Sequence, residues 1–85
     1  MSKNEICEKI FLILKQVLGN AENLPKTFDE SIGDKVDSIE FVMIIVEIEN
    51  QFDIKIDDDD FNIENVDSID RFADLIIRYK NENRP

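Results

Sequence analysis

Residues 38–52 hold the pattern that most constrains this chain. Phe41, Ile45, Ile48 and Phe52 recur at the spacing of one face of an α-helix, with Glu40, Glu47 and Gln51 well away from them. A stripe that apolar needs other surfaces to cover it, and in 85 residues they come from neighbouring segments of the same chain. Over residues 4–18, Ile6, Ile10, Ile13, Leu14, Val17 and Leu18 form a second helical stripe, with Gly19 placed to end the helix. Beyond the capping pair Asp67-Ser68, Ile69, Phe72, Ala73, Ile76 and Tyr79 form a third, which runs out into a polar tail over residues 81–85. Acids leading into Phe61 and Ile63 predict a short helical turn over residues 57–63. Two glycines and two prolines argue against a low-complexity or turn-dense all-β chain. The expected fold is therefore all-α: a small four-helix bundle of three main helices and one short one, a single domain over residues 1–85. A fold of this size buries roughly 60% of the surface its unfolded chain exposes.

The middle helix has a well-specified start. Asp37 is placed as its cap, and Glu40, three residues on, completes a capping box, so the helix is expected from Ser38 to Phe52 or Asp53. Before it, residues 20–36 read as a long loop punctuated by Pro25, Gly33, Glu22, Asp29, Glu30 and Asp34. Leu24, Phe28, Ile32 and Val36 are expected to reach back from that loop to the core. Loops this long are uncommon in small domains and are often functional. The same helix carries a second apolar group, Ile39, Val42, Met43 and Val46, on one flank. Part of this flank is expected to pack under the long loop, leaving the rest as an exposed contact patch beside Ser38.

Charge narrows the partners. The net charge is −10, and residues 21–74 hold 17 acids against 4 bases. Nucleic acid and anionic lipid would meet like charge there, whereas a protein with a cationic docking patch would not. The longest apolar run, residues 10–14, is too short to span a bilayer. Lysines flank it and no small-residue cleavage site follows, so the chain is placed in the cytoplasm. The single Cys7 allows no internal disulfide and reads as a small buried hydrophobe.

Chemistry narrows the roles. The chain contains no histidine, which removes Ser-His-Asp and Cys-His catalysis and His-ligated zinc. Carboxylate pairs remain, but a domain this small would struggle to enclose the cleft they need. The run Asp57-Asp58-Asp59-Asp60 suggests calcium, yet no register satisfies an EF-hand loop. Starting at Asp58, Ile63 falls where glycine belongs and Ile69 where the closing glutamate belongs. The run reads instead as a solvated helix start, and no metal site is expected. Ser38, at a helix mouth with free backbone N–H groups, could accommodate a phosphoester on its hydroxyl, or could be an ordinary cap. Asp67-Ser68-Ile69-Asp70 nearly repeats Asp37-Ser38-Ile39-Glu40 where only a cap is expected, so the tetrapeptide alone does not separate the two roles.

Residues 32–56 separate them by resemblance. Asp37-Ser38-Ile39 opens the second helix, Glu49-Asn50-Gln51-Phe52 closes it, and Ile54-Lys55-Ile56 leads into the acid run. This order resembles the central segment of acyl carrier proteins and their peptidyl carrier relatives, and the match in length, helix count and charge extends through the chain. The resemblance implies an acyl-carrier-like bundle with no catalytic residues of its own. It makes Ser38, preceded by Asp37, the attachment point of 4′-phosphopantetheine, transferred from coenzyme A by a magnesium-dependent phosphopantetheinyl transferase. The arm's thiol would hold acyl or aminoacyl groups for loading enzymes and downstream synthases with basic docking patches, the carrier itself remaining monomeric. The recognition face of the family maps onto Ile39, Val42, Met43, Val46, Glu49 and Asn50, on a helix kept acidic by Glu40, Glu47 and Glu49. Fatty-acid carriers usually have acids where Met43 and Asn50 stand, and many members have proline where Asp57 stands. The more apolar face points to a dedicated pathway. In some members the cargo lies between the helices and in others outside them, and the bulky Ile44, Ile45 and Ile48 do not decide between the two from sequence. Two readings compete on composition alone: an acidic helical adaptor or inhibitor docked on a basic groove, with Ser38 only a cap, and a divalent-cation binder on residues 57–60.

Overall fold

Every main helix is fixed at its N-terminus by a side chain that satisfies a free backbone N–H. The computed structural model describes residues 2–19, 21–60 and 66–82. Helix α1 spans Lys3–Leu18, α2 spans Ser38–Phe52 and α3 spans Ile69–Glu82, with 3₁₀ turns at Ala21–Asn23 and Asp58–Asp60 and no strand among the described residues. Helix α1 starts one residue earlier than the apolar stripe suggests. Ser2 caps it, its Oγ accepting from the Glu5 N–H at 3.2 Å while the Ser2 N–H donates to Glu5 Oε1 at 3.1 Å. Gly19 ends it as expected, in the left-handed conformation at φ 66°, and its N–H donates to the Lys15 carbonyl. Helix α3 outruns its apolar stripe through Asn81 to Glu82, so the first two residues of the expected polar tail are helical.

The core gathers the three predicted stripes. Ile6, Cys7, Ile10, Ile13 and Leu14 from α1 meet Phe41, Ile44, Ile45, Ile48 and Phe52 from α2. Ile69, Phe72, Ala73, Leu75, Ile76 and Tyr79 of α3 complete the cluster. Helix α1 packs against both of the others, and α2 meets α3 through the tilted Phe41 and Phe72 rings, 6.1 Å between centroids. Cys7 is buried as a small hydrophobe, and burial raises its thiol pKa. Outside the core, Lys3 Nζ bridges Asp70 and Asp74, each at 2.9 Å, and ties the start of α1 to the first turns of α3.

The long loop docks in an unexpected place. Ile32 is fully buried, and Leu24, Phe28 and Val36 pack half-buried against the core, as the sequence suggests. The loop backbone, however, is sewn to the start of α3: the Ile32 N–H donates to the Asp67 carbonyl at 2.7 Å and the Asp70 N–H to the Phe28 carbonyl at 2.8 Å. The outer flank of α2 is not covered. Ile39, Val42, Met43 and Val46 are all exposed, which corrects the expectation that part of this flank packs beneath the loop. The reason is geometric: the loop's unpaired backbone groups find partners at the mouth of α3, and the apolar loop residues follow them there.

The acid run is also more constrained than a solvated helix start. Asp58–Asp60 forms a 3₁₀ turn that α3 holds in place. The Asp57 N–H donates to the Tyr79 hydroxyl at 2.9 Å, that hydroxyl donates to Asp60 Oδ2, and Arg78 donates to the same oxygen at 2.8 Å. The expected short helix reaches on to Phe61 and Ile63, which lie outside the described residues.

Candidate functional site

Near-identical tetrapeptides open α2 and α3, but their caps fall one residue apart. At α2 the cap is Asp37: its Oδ1 accepts from the Glu40 N–H at 2.7 Å, and the Asp37 N–H donates to Glu40 Oε1 at 3.0 Å, closing the predicted capping box. Ser38 is thereby the first residue of the helix proper. Its side chain is exposed, and its hydroxyl is engaged by no hydrogen bond among the described residues. At α3 the cap is the serine itself. Ser68 Oγ accepts from the Arg71 N–H at 3.2 Å, its carbonyl accepts from the Phe72 N–H, and the residue is only 5% exposed. One hydroxyl is free in solvent and the other is consumed in the fold.

The surroundings of Ser38 suit an attached phosphate. The backbone N–H groups of Ser38 and Ile39 lie in the first turn, where an α-helix has no carbonyl to offer, and the helix dipole favours negative charge there. The capping box fixes the backbone that presents the serine. No side-chain rearrangement is needed to reach its hydroxyl.

The predicted partner residues fall into two groups. Ile39, Val42, Met43 and Val46 are 74%, 53%, 49% and 46% exposed, on the side of α2 opposite its core stripe. Asn50 is exposed in line with them. The acids, by contrast, are partly committed to the fold. Glu40 belongs to the capping box, and Glu47 Oε2 accepts from Gln51 Nε2 at 3.2 Å. Glu49 is half-buried, with Oε2 accepting from the Ile56 N–H at 2.8 Å and its carbonyl accepting from the Asp53 and Ile54 N–H groups. Glu49 therefore shapes the exit from α2 as well as its surface.

Two features lay beyond the sequence reading. Val17, assigned to the inner stripe of α1, is only half-buried and joins Gln16 in walling an open groove against Val42, Met43, Val46 and Glu47. Its position at the end of the α1 stripe was the available signal. The clasp between Tyr79 and the acid turn is the other. It joins residues 22 apart, a distance that periodicity does not report. No cluster of metal-ligating side chains occurs among the described residues.

Known proteins are similar to this chain over most of its length. A family model described as "Phosphopantetheine attachment site" matches residues 8–76. The acyl carrier protein of Chlorobium phaeobacteroides is 31% identical over 81 residues, spanning 92% of this chain and 99% of that protein. An acyl carrier protein homolog of Mycoplasma genitalium is 33% identical over 82 residues, 95% of this chain and 92% of that protein.

Proposed function

The chain belongs to the acyl carrier proteins, a family built around a phosphopantetheine attachment site, and from that premise we propose that Ser38 is the residue that bears the group. Family membership makes the protein a carrier rather than an enzyme, with 4′-phosphopantetheine covalently attached. Once attached, the group supplies a terminal thiol on which cargo is held as a thioester. The chain's own contribution is an acceptor hydroxyl and the surface around it. The chain has no histidine and the carboxylate next to Ser38, Asp37, is engaged in the helix cap, so the base that takes the Ser38 proton is expected from the transferase. The serine oxygen bonds to the pantetheine-bearing phosphorus as the pyrophosphate linkage of coenzyme A breaks, and adenosine 3′,5′-bisphosphate leaves.

One observation carries the choice of serine: Ser38 keeps its hydroxyl exposed because Asp37 does the capping, whereas Ser68 spends its own on the cap. The test is intact mass after incubation with coenzyme A, magnesium and a broad-specificity phosphopantetheinyl transferase. Wild type and Ser68→Ala gain one phosphopantetheine and Ser38→Ala gains none. Modification that survives Ser38→Ala and disappears in Ser68→Ala would overturn the choice. An unmodified wild type would favour an acidic adaptor that docks on a basic partner without a prosthetic group.

The same reading extends to the pathway. Residues 1–85 act as one carrier domain, a monomer in the cytoplasm, taking acyl or aminoacyl cargo from loading enzymes to synthases of a dedicated fatty-acid-like, polyketide or peptide pathway. The transferase, loading enzymes and synthases are expected to present basic patches to the acidic middle of the chain. Support for a dedicated pathway comes from Met43, half-exposed beside Val42 and Val46, and from exposed Asn50, at positions where fatty-acid carriers usually have acids. Among the described residues no helix is long and apolar enough to cross a membrane.

A further inference from the structure

Ser38 lies in an acidic stretch that contains one cation. Residues 27–54 hold eight acids and a single base, Lys35. Lys35 precedes Ser38 by three residues, so their Cα atoms are at most about 11 Å apart. Its flexible four-carbon stem gives the ammonium the reach to meet a phosphodiester on the Ser38 oxygen.

The fold engages Lys35 elsewhere. Its Nζ pairs with Glu30 Oε2, each side chain about a third exposed. The other carboxylate oxygen, Oε1, accepts from the Lys26 N–H at 3.3 Å, so Glu30 ties together both ends of residues 26–35. The backbone beneath the pair is anchored independently. The Lys35 N–H donates to the Ile32 carbonyl at 3.0 Å, and fully buried Ile32 donates its own N–H to Asp67. Ammonium and carboxylate therefore meet in a preset geometry, unlike two loose surface chains. Lys35, then the Lys26 N–H, holds the Glu30 carboxyl below the usual carboxylate range, which keeps it ionised at neutral pH.

Resting on the carrier reading, we propose that Glu30 is a positioning residue for the prosthetic arm: by holding Lys35 it keeps the ammonium off the phosphate on Ser38 and leaves the arm unpaired. The competition is between two monoanions, a carboxylate and a phosphodiester, so charge alone does not move the lysine. Preorganisation decides it, because Glu30 is already fixed by the Lys26 N–H whereas Ser38 is exposed. Without the Glu30 charge, Lys35 finds Asp37 and Glu40 closed into the capping box, and the phosphate becomes an open acceptor.

The test uses the full chain in its phosphopantetheinylated form, the gain confirmed by intact mass, and reads the ³¹P resonance of the arm. Lys35→Gln alone should leave that resonance in place, and attachment should leave the ¹⁵N-resolved Lys26 amide unchanged. Glu30→Gln keeps a carbonyl oxygen for the Lys26 N–H and removes only the charge. It should shift the ³¹P resonance, the new pair being populated up to about fivefold over the open arm. Glu30→Ala should give the same shift. Glu30→Gln combined with Lys35→Gln should return the resonance to the wild-type position, and so should added salt. A merely structural role for Glu30 would leave the shift in place under both conditions and would overturn the proposal. So would an unmoved resonance in the Glu30 variants, or a shift produced by Lys35→Gln alone. Intact mass separates the two readings. If wild type gains no phosphopantetheine the carrier reading fails; if it gains one and the Glu30 variants show no shift, only the role of Glu30 fails.

Discussion

Single residues carry more of this structure than their chemistry advertises. Ser38 and Ser68 have the same hydroxyl and nearly the same neighbours, and the position of the cap decides which is available. Asp53 is the other telling residue. It closes α2 in the left-handed region at φ 54° and ψ 52°, the one non-glycine residue with positive φ among those described, and puts a negative charge at the negative end of the helix dipole. Asp53→Gly removes both penalties, against a larger entropy loss on folding for glycine. A net gain of about 0.5–1 kcal/mol is expected in urea unfolding. Asp53→Asn should recover only the charge part, and a variant no more stable than wild type would show that the turn is not strained. Sequence alone pointed to Asp37 and Glu40, because a capping box is a local pattern. The left-handed Asp53 was not legible, since the obligation to turn there comes from Ile54 and Ile56 entering the core.

Helices and their connections repeat the lesson one scale up. The three stripes are legible in sequence because period 3.6 is a property of the sequence, and they fail at Val17, which the structure leaves half-buried beside the groove. The acid run was read as a solvated helix start because its partners, Arg78 and Tyr79, lie on another helix. That clasp makes a pH prediction. The Tyr79 hydroxyl, then Arg78, holds the Asp60 carboxyl below the usual carboxylate range. A folded pKa below the unfolded one means that the contribution is complete above about pH 4, the ordinary Asp value, and is lost as pH falls through the folded value. Tyr79 is shifted upward, first by burial and then by Asp60, so its neutral form is favoured and its contribution persists below about pH 10. Tyr79→Phe removes the donor to Asp60 and the acceptor for the Asp57 N–H and should cost about 1–2 kcal/mol at pH 7. The gap between wild type and variant in urea unfolding should narrow as pH falls from about 5 to 2. A gap independent of pH would mean that Asp60 does not take part. Comparing the two proteins also cancels the relief of charge repulsion that acid brings to a chain of −10.

For the whole molecule, the consequence lies in what remains uncovered. Helix α2 is apolar on two opposite sides: one side is the core, and the other stays in solvent because the loop that might have covered it is hydrogen-bonded to α3. A carrier whose exposed side is this apolar should discriminate among partners built for acidic ones. Supplied as the sole carrier to cells depleted of their housekeeping fatty-acid carrier, the protein is expected to fail to restore growth. Replacing Met43 and Asn50 together by Glu should improve the rescue. Full rescue by the unaltered chain would remove the case for a dedicated pathway. The sequence by itself determined the three main helices and the capped starts of α2 and α3, because these are set by periodicity or by residues within a turn of one another; composition gave the acidic middle, and the resemblance of residues 32–56 to carrier proteins gave the serine worth testing. Tertiary structure alone decided that Ser68 is buried while Ser38 stays in solvent, where the long loop docks, and that Val17 faces Val42 across an open groove. Those outcomes turn on which buried backbone groups find partners across the chain, a competition settled only when the helices pack.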